Sequence, residues 1–162
     1  MIAVILQAVA AAVHGGGILV WATLFLFRGR ISHVPVETLV RLYRAWGPVQ
    51  GLSLGVWVFS QLYRFPDIAN PGLSFPDSYL LGWGNWVNNL TTVRAALFGL
   101  LWVSYLTLEV WTLEPCRLLD KDGVIQDPPA YLATVGRITR QLVFNALLVI
   151  AIVSLSALGA RP

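Results

Sequence analysis

The first long segment of the chain, from Ile2 to Phe27, carries no formal charge. It exceeds the length of about 20 apolar residues that a helix needs to cross the hydrocarbon core of a bilayer. Only Gln7 and His14 interrupt it with strongly polar side chains. A segment this long and this apolar is typical of a membrane span, so the sequence predicts an integral membrane protein.

Three later segments resemble the first in their low content of charge. Hydrophobic residues make up 57% of the 162-residue chain and charged residues only 12%, against about 25% charged residues in ordinary soluble domains. We expect each segment to be a helix, because backbone polar groups inside a bilayer must be hydrogen-bonded within the segment. The sequence therefore predicts one all-α domain, a transmembrane four-helix bundle with spans at 2–27, 46–63, 93–113 and 141–159.

The basic residues are divided unequally between the loops that join these spans. The loops 28–45 and 114–140 contain Arg28, Arg30, Arg41, Arg44, Arg117, Lys121, Arg137 and Arg140. The opposite side has only Arg64, Arg94 and Arg161. Because cytoplasmic loops are enriched in Lys and Arg, both basic loops are predicted to be cytoplasmic and both termini to lie on the outer, periplasmic side of a bacterial inner membrane. This distribution reflects topology and does not indicate a nucleic-acid partner.

The predicted outer loop, 64–92, is rich in proline and in aromatic residues. The aromatic residues include Phe65, Phe75, Tyr79, Trp83 and Trp86. Such rings favour the headgroup layer of a membrane. The sequence thus predicts an aromatic interfacial outer loop that lies on the membrane surface.

His14 is the main candidate for a functional residue, because an ionisable group near the middle of a membrane span is poorly tolerated by hydrocarbon. Helical spacing places Ala10, His14, Gly17 and Trp21 on one face of the first span. This face offers an imidazole metal ligand with small residues about one turn away on either side, which suits haem b or (bacterio)chlorophyll. Two alternatives remain open: a neutral histidine hydrogen-bonded to another span, and a proton relay. His33, the only other histidine, lies beyond the span, so a second axial ligand would come from water or another subunit.

A second group of polar residues is expected in the cytoplasmic half of the bilayer. Gln50, Glu109 and Asn145 lie on three different predicted spans. They are predicted to form a polar cluster, either as interhelical hydrogen-bond partners or as an access point for a proton or a cation. In the second case Arg41 or Arg44 would be the partner of Glu109.

Gly47, Gly51 and Gly55 recur every four residues along the second span. Such a stripe of small residues allows another helix to approach closely, so the sequence predicts helix packing at this face. No phosphate-binding glycine loop or Cys-x-x-Cys motif occurs, and no catalytic residues are predicted.

The segment from His14 through Gly15, Gly16, Gly17 and Trp21 to Phe25 resembles the opening helix of the copper-resistance CopD-like membrane proteins. In those proteins a histidine is followed by glycine and then tryptophan. The resemblance implies a related helical membrane scaffold and, as one alternative, a stand-alone metal or ion transporter. The additional His and Met residues expected of a copper-handling protein are missing here.

These observations predict a small, non-catalytic integral subunit of a larger redox or photosynthetic membrane complex. The expected partners are the lipid bilayer and other integral membrane subunits, with one haem or (bacterio)chlorophyll held through His14 as the metal ligand. The CopD-like transporter and a haem-linked membrane oxidoreductase remain as alternatives.

Overall fold

The described residues of the computed structural model are 2–31, 35–69, 86–113, 115, 118 and 125–159. Almost all of them are helical. The helices are α1 (Ile2–Leu26), α2 (Arg28–Ile31), α3 (Val36–Ala69), α4 (Trp86–Trp111) and α5 (Pro128–Gly159). The prediction of an all-α protein with four long helices is therefore confirmed.

The four long helices form a closed ring in which each packs on its two neighbours. Helix α1 contacts α3 and α5, and α4 contacts the same two helices from the other side. Contacts along α1 and α3 show that these helices run antiparallel, because His14 meets Gln50 while Trp21 meets Tyr43, which is earlier in the chain. The arrangement is a four-helix bundle with chain neighbours adjacent in space.

Among the described residues, three helical segments are long and apolar enough to cross a membrane: Val4–Leu26, Val93–Trp111 and Pro128–Ala157. The positions of polar and apolar side chains also fit a bundle that crosses a membrane. His14, Gln50 and Asn145 have 0% of their surface exposed, whereas Leu52 and Phe59 are 72% and 67% exposed. Polar groups inside and large apolar side chains outside are what a bundle in hydrocarbon requires. The protein is a membrane protein.

The helices extend beyond the predicted spans. Helix α3 begins at Val36 and continues through Pro48, whereas the prediction assigned residues 28–45 to a loop and began the second span at residue 46. Helix α5 begins at Pro128, well before the predicted span at 141, because Asp127 caps it by accepting a hydrogen bond from Ala130 N at 3.0 Å. Proline suits the first helical position, where no backbone donor is needed.

The predicted outer loop is only partly covered by the structure. Its first residues, 64–69, belong to α3, and its last residues, 86–92, belong to α4. The residues between, 70–85, lie outside the described part of the chain, as do His33 and Cys116. The interfacial position of this loop and the sides on which the termini lie stay predictions.

Candidate functional site

His14 lies at the level of the bundle where all four long helices meet. Its imidazole is 5.8 Å from the Tyr105 ring on α4 and 6.3 Å from the Trp57 ring on α3, measured between centroids. At the neighbouring residue, Gly15, a Cβ would lie 3.0 Å from the side chain of Val149 on α5. The imidazole is fully buried. It therefore belongs to the packed interior and does not face lipid.

One nitrogen of His14 is anchored and the other is free among the described residues. Nδ1 lies 3.0 Å from the backbone oxygen of Gln50. A carbonyl only accepts hydrogen bonds, so this contact is a hydrogen bond in the tautomer whose proton is on Nδ1. Nε2 then carries the lone pair of a neutral imidazole, and it is buried with no hydrogen-bond partner in the described part of the chain. An Nδ1 held by a carbonyl with a free Nε2 is the state of a histidine metal ligand.

The side chain of Gln50 fills the space beside His14. Its amide is satisfied at both ends when the oxygen accepts from Trp46 Nε1 at 2.7 Å and the nitrogen donates to the His14 backbone oxygen at 3.2 Å. The amide lies directly over Gly17, where a Cβ would collide with the end of the Gln50 side chain. Gly17 is therefore the residue that lets α3 approach α1 at this level.

The face predicted to receive a flat ligand is covered by protein. Ala10 is buried, Gln50 occupies the space over Gly17, and Trp21 packs edge-on against Tyr43 at 5.5 Å between ring centroids. His14 provides the donor atom for a tetrapyrrole metal, but a macrocycle would reach it only by displacing the surrounding side chains. The residues present fit the ligand chemistry of haem or (bacterio)chlorophyll but not its size. Within the described residues there is also no group of three or more His, Cys, Asp or Glu side chains to hold a metal ion.

The glycine stripe of α3 receives the large side chains of α4. A Cβ built on Gly47 would lie 3.1 Å from both carboxylate oxygens of Glu109. A Cβ on Gly51 would lie 3.2 Å from the Tyr105 hydroxyl, and one on Gly55 would lie 3.8 Å from Trp102. The Tyr105 hydroxyl also donates to the Gly47 backbone oxygen at 2.7 Å. Small residues on one helix thus accommodate Glu109, Tyr105 and Trp102 on the other.

The three residues of the predicted polar cluster each have their own contacts in the structure. Gln50 is engaged with His14 and Trp46, as described above. Glu109 lies against Gly47, with the Tyr105 hydroxyl within its reach. Asn145 accepts a hydrogen bond from Ser104, which in turn accepts one from Gln141.

Two contributors to this interior were not singled out from the sequence. Ser104 of α4 binds Asn145 of α5. Tyr43 of α3 is fully buried and packs against Trp21 of α1. Serine and tyrosine are common in membrane helices, so their presence alone gives no signal. Only the register between the helices shows that they face the interior.

We predict that Ser104→Ala lowers the free energy of unfolding by about 1 kcal/mol, because it removes the hydroxyl that joins Gln141 to Asn145. Ser53→Ala is the matched control, since the Ser53 hydroxyl bonds only within its own helix, to the Val49 backbone oxygen. Unfolding in mixed micelles with increasing SDS, followed by circular dichroism, measures both variants. An equal loss for the two would contradict a specific role of Ser104 in joining α4 to α5.

Comparison of the chain with protein-family models, with curated proteins and with solved structures gave no match. The resemblance to CopD-like proteins thus stays a prediction from the first helix.

Proposed function

We propose that the chain is a four-span integral membrane subunit that has no catalytic site of its own and works within a larger redox or photosynthetic membrane complex. In this proposal α3 is the fourth span. It is packed between α1 and α4, and it exposes large apolar side chains, Leu52 and Phe59, to the surroundings. Both termini lie on the outer side and the basic ends of the helices lie in the cytoplasm.

The main support for the proposal is that the polar groups inside the bundle form hydrogen bonds between helices. Hydrogen bonds from these groups join neighbouring helices all around the ring. They link His14 to Gln50 between α1 and α3, Tyr105 to Gly47 between α3 and α4, and Ser104 to Asn145 between α4 and α5. Arg28 of α2 closes the ring by donating both to the Phe25 backbone oxygen on α1 and to Thr139 on α5. Polar bonds of this kind hold membrane helices together. An interior whose polar groups fix helix positions supports a scaffold role.

The free Nε2 of His14 favours a second candidate, in which the chain holds a haem or a (bacterio)chlorophyll. That candidate requires the helices to open relative to the packing described here, because Gln50, Trp57 and Tyr105 surround the imidazole. An ion transporter of the CopD-like kind is a third candidate, with Glu109 as its charged residue within the bilayer.

The experiment is purification of the tagged chain from its native membrane in a mild detergent, with its size and absorption spectrum measured together. We expect the chain to migrate with larger membrane proteins, whereas the same chain produced alone in a foreign membrane migrates by itself. Native material that migrates alone would overturn the subunit role and favour a stand-alone transporter. A Soret band that His14→Leu removes would identify a haem protein.

A further inference from the structure

We propose that the contact between α3 and α4 at Gly47 binds one small monovalent cation of the Na⁺ or K⁺ type in a site of oxygen ligands. The ligands are the Glu109 carboxylate, the hydroxyls of Tyr43 and Tyr105, and backbone oxygens of α3. We call this group of residues the Gly47 site. The inference does not depend on whether the chain is a subunit of a larger complex.

Two buried oxygens at this place have no partner among the described residues. They are Oε1 of Glu109 and the hydroxyl of Tyr43. Tyr43 has 0% of its surface exposed, so water outside the bundle does not reach its hydroxyl. Tyr43 lies one helical turn before Gly47 on α3, and the Tyr105 hydroxyl and the Glu109 carboxylate both lie at Gly47, so the three groups border the same turn of α3. Buried polar atoms without partners call for a ligand, since leaving them unpaired in an apolar medium is costly.

The backbone of α3 presents further oxygens at the same place. Gly47 has no side chain, and this absence lets both carboxylate oxygens of Glu109 come within 3.1 Å of the position of a Cβ. Its backbone oxygen already accepts from Tyr105 at 2.7 Å, so backbone and carboxylate oxygens are close together. Pro48 has no N–H, so the backbone oxygen of Arg44, one turn earlier, lacks its usual helical donor. Freed backbone oxygens of this kind coordinate cations in membrane proteins.

The chemistry of the ligands selects the charge and type of the cation. Carboxylate, hydroxyl and carbonyl oxygens are hard ligands that suit alkali and alkaline-earth ions, not copper or zinc. Glu109 is the single carboxylate of the Gly47 site, which balances one positive charge. Glu109 is only partly buried and lies near the end of α4, so a cation can reach it from the headgroup layer.

The opposing hypothesis is that Glu109 serves as the ion-pair partner of an arginine. Arg41 and Arg44 lie on the same half of α3, and both are exposed. An arginine at the carboxylate would take the place of a cation. The two hypotheses differ in what happens when Arg44 is neutralised.

The experiment measures the melting temperature of the purified chain in NaCl, KCl and choline chloride at equal ionic strength, with choline as the control cation because it is much larger than Na⁺ or K⁺. A ligand that binds only the folded state raises the melting temperature as its concentration increases. We expect each tenfold increase of the preferred ion, beyond its dissociation constant, to raise the melting temperature by about 3 °C. Glu109→Gln and Tyr43→Phe should lose this rise.

Two matched variants complete the experiment. Tyr131→Phe removes the hydroxyl of another fully buried tyrosine, on α5, and should keep the rise. Arg44→Gln should keep or increase it, because it removes a competing positive charge. The proposal is overturned if the wild-type chain melts at the same temperature in all three salts, or if the rise survives in Glu109→Gln. A loss of stability in Arg44→Gln equal to that in Glu109→Gln, with no dependence on the ion, would establish the ion pair instead.

Discussion

Replacing Gly17 with leucine is expected to push α3 away from α1 and to lower the free energy of unfolding by about 3 kcal/mol. A Cβ at this position already collides with the side-chain amide of Gln50. That amide is fully buried and is held by hydrogen bonds to Trp46 and to the His14 backbone, so moving it breaks those bonds. Unfolding in mixed micelles with increasing SDS, followed by tryptophan fluorescence, measures the loss.

Gly16→Leu is the matched control for this prediction. It introduces the same side chain one position earlier on the same helix, where no atom lies within 4 Å of a Cβ and the surface is exposed. We expect its stability to stay within about 0.5 kcal/mol of that of the native chain. If both variants lost the same stability, close approach of α3 at Gly17 would not be the cause.

The membrane character and the number of long helices could be predicted from the sequence because lipid excludes charge so strongly. The ends of the helices could not. Arg41 and Arg44 lie inside α3, and Arg137 and Arg140 lie inside α5, although each pair was placed in a loop. Charged residues indicate where a chain leaves the hydrocarbon. The boundaries of a helix are instead set by capping and backbone hydrogen bonds, as Asp127 shows at the start of α5.

The same limit applies to the candidate site. Helical spacing groups Ala10, His14, Gly17 and Trp21 on one face of α1, and that grouping depends only on the repeat of the helix. What covers the face depends on which helix packs there and in which register. In the structure, Gln50 and Tyr43 of α3 pack over this face of α1. The register between α1 and α3 cannot be read from a single sequence.

The contact of Glu109 and Tyr105 with the glycine stripe could be predicted only in part. The sequence places Trp102, Tyr105 and Glu109 on one face of α4, and it places the three glycines on one face of α3. Each pattern alone predicts a packing surface. Only the antiparallel contact of α3 and α4 shows that the two surfaces face each other, which brings a carboxylate to Gly47.

His14→Ala is expected to lower the free energy of unfolding by about 3 kcal/mol, because it leaves a cavity at the level where all four helices meet. The imidazole is fully buried, with the rings of Trp57 and Tyr105 beside it. In a bundle surrounded by lipid, close packing of side chains is a main source of helix association, so the lost contacts are not recovered by exposure to solvent. The same titration with SDS measures the loss.

His14→Leu separates packing from hydrogen bonding at this position. Leucine keeps most of the side-chain volume and removes only the bond to the Gln50 backbone oxygen, which retains its own helical donor. We therefore expect His14→Leu to cost about 1 kcal/mol, well below the cost of His14→Ala. A histidine that ligates a metal cofactor behaves differently, because leucine and alanine both remove the ligand and both abolish the stabilisation by the cofactor. Equal losses for the two variants in protein from the native membrane would contradict the scaffold role of His14, whereas unequal losses in the expected order support it.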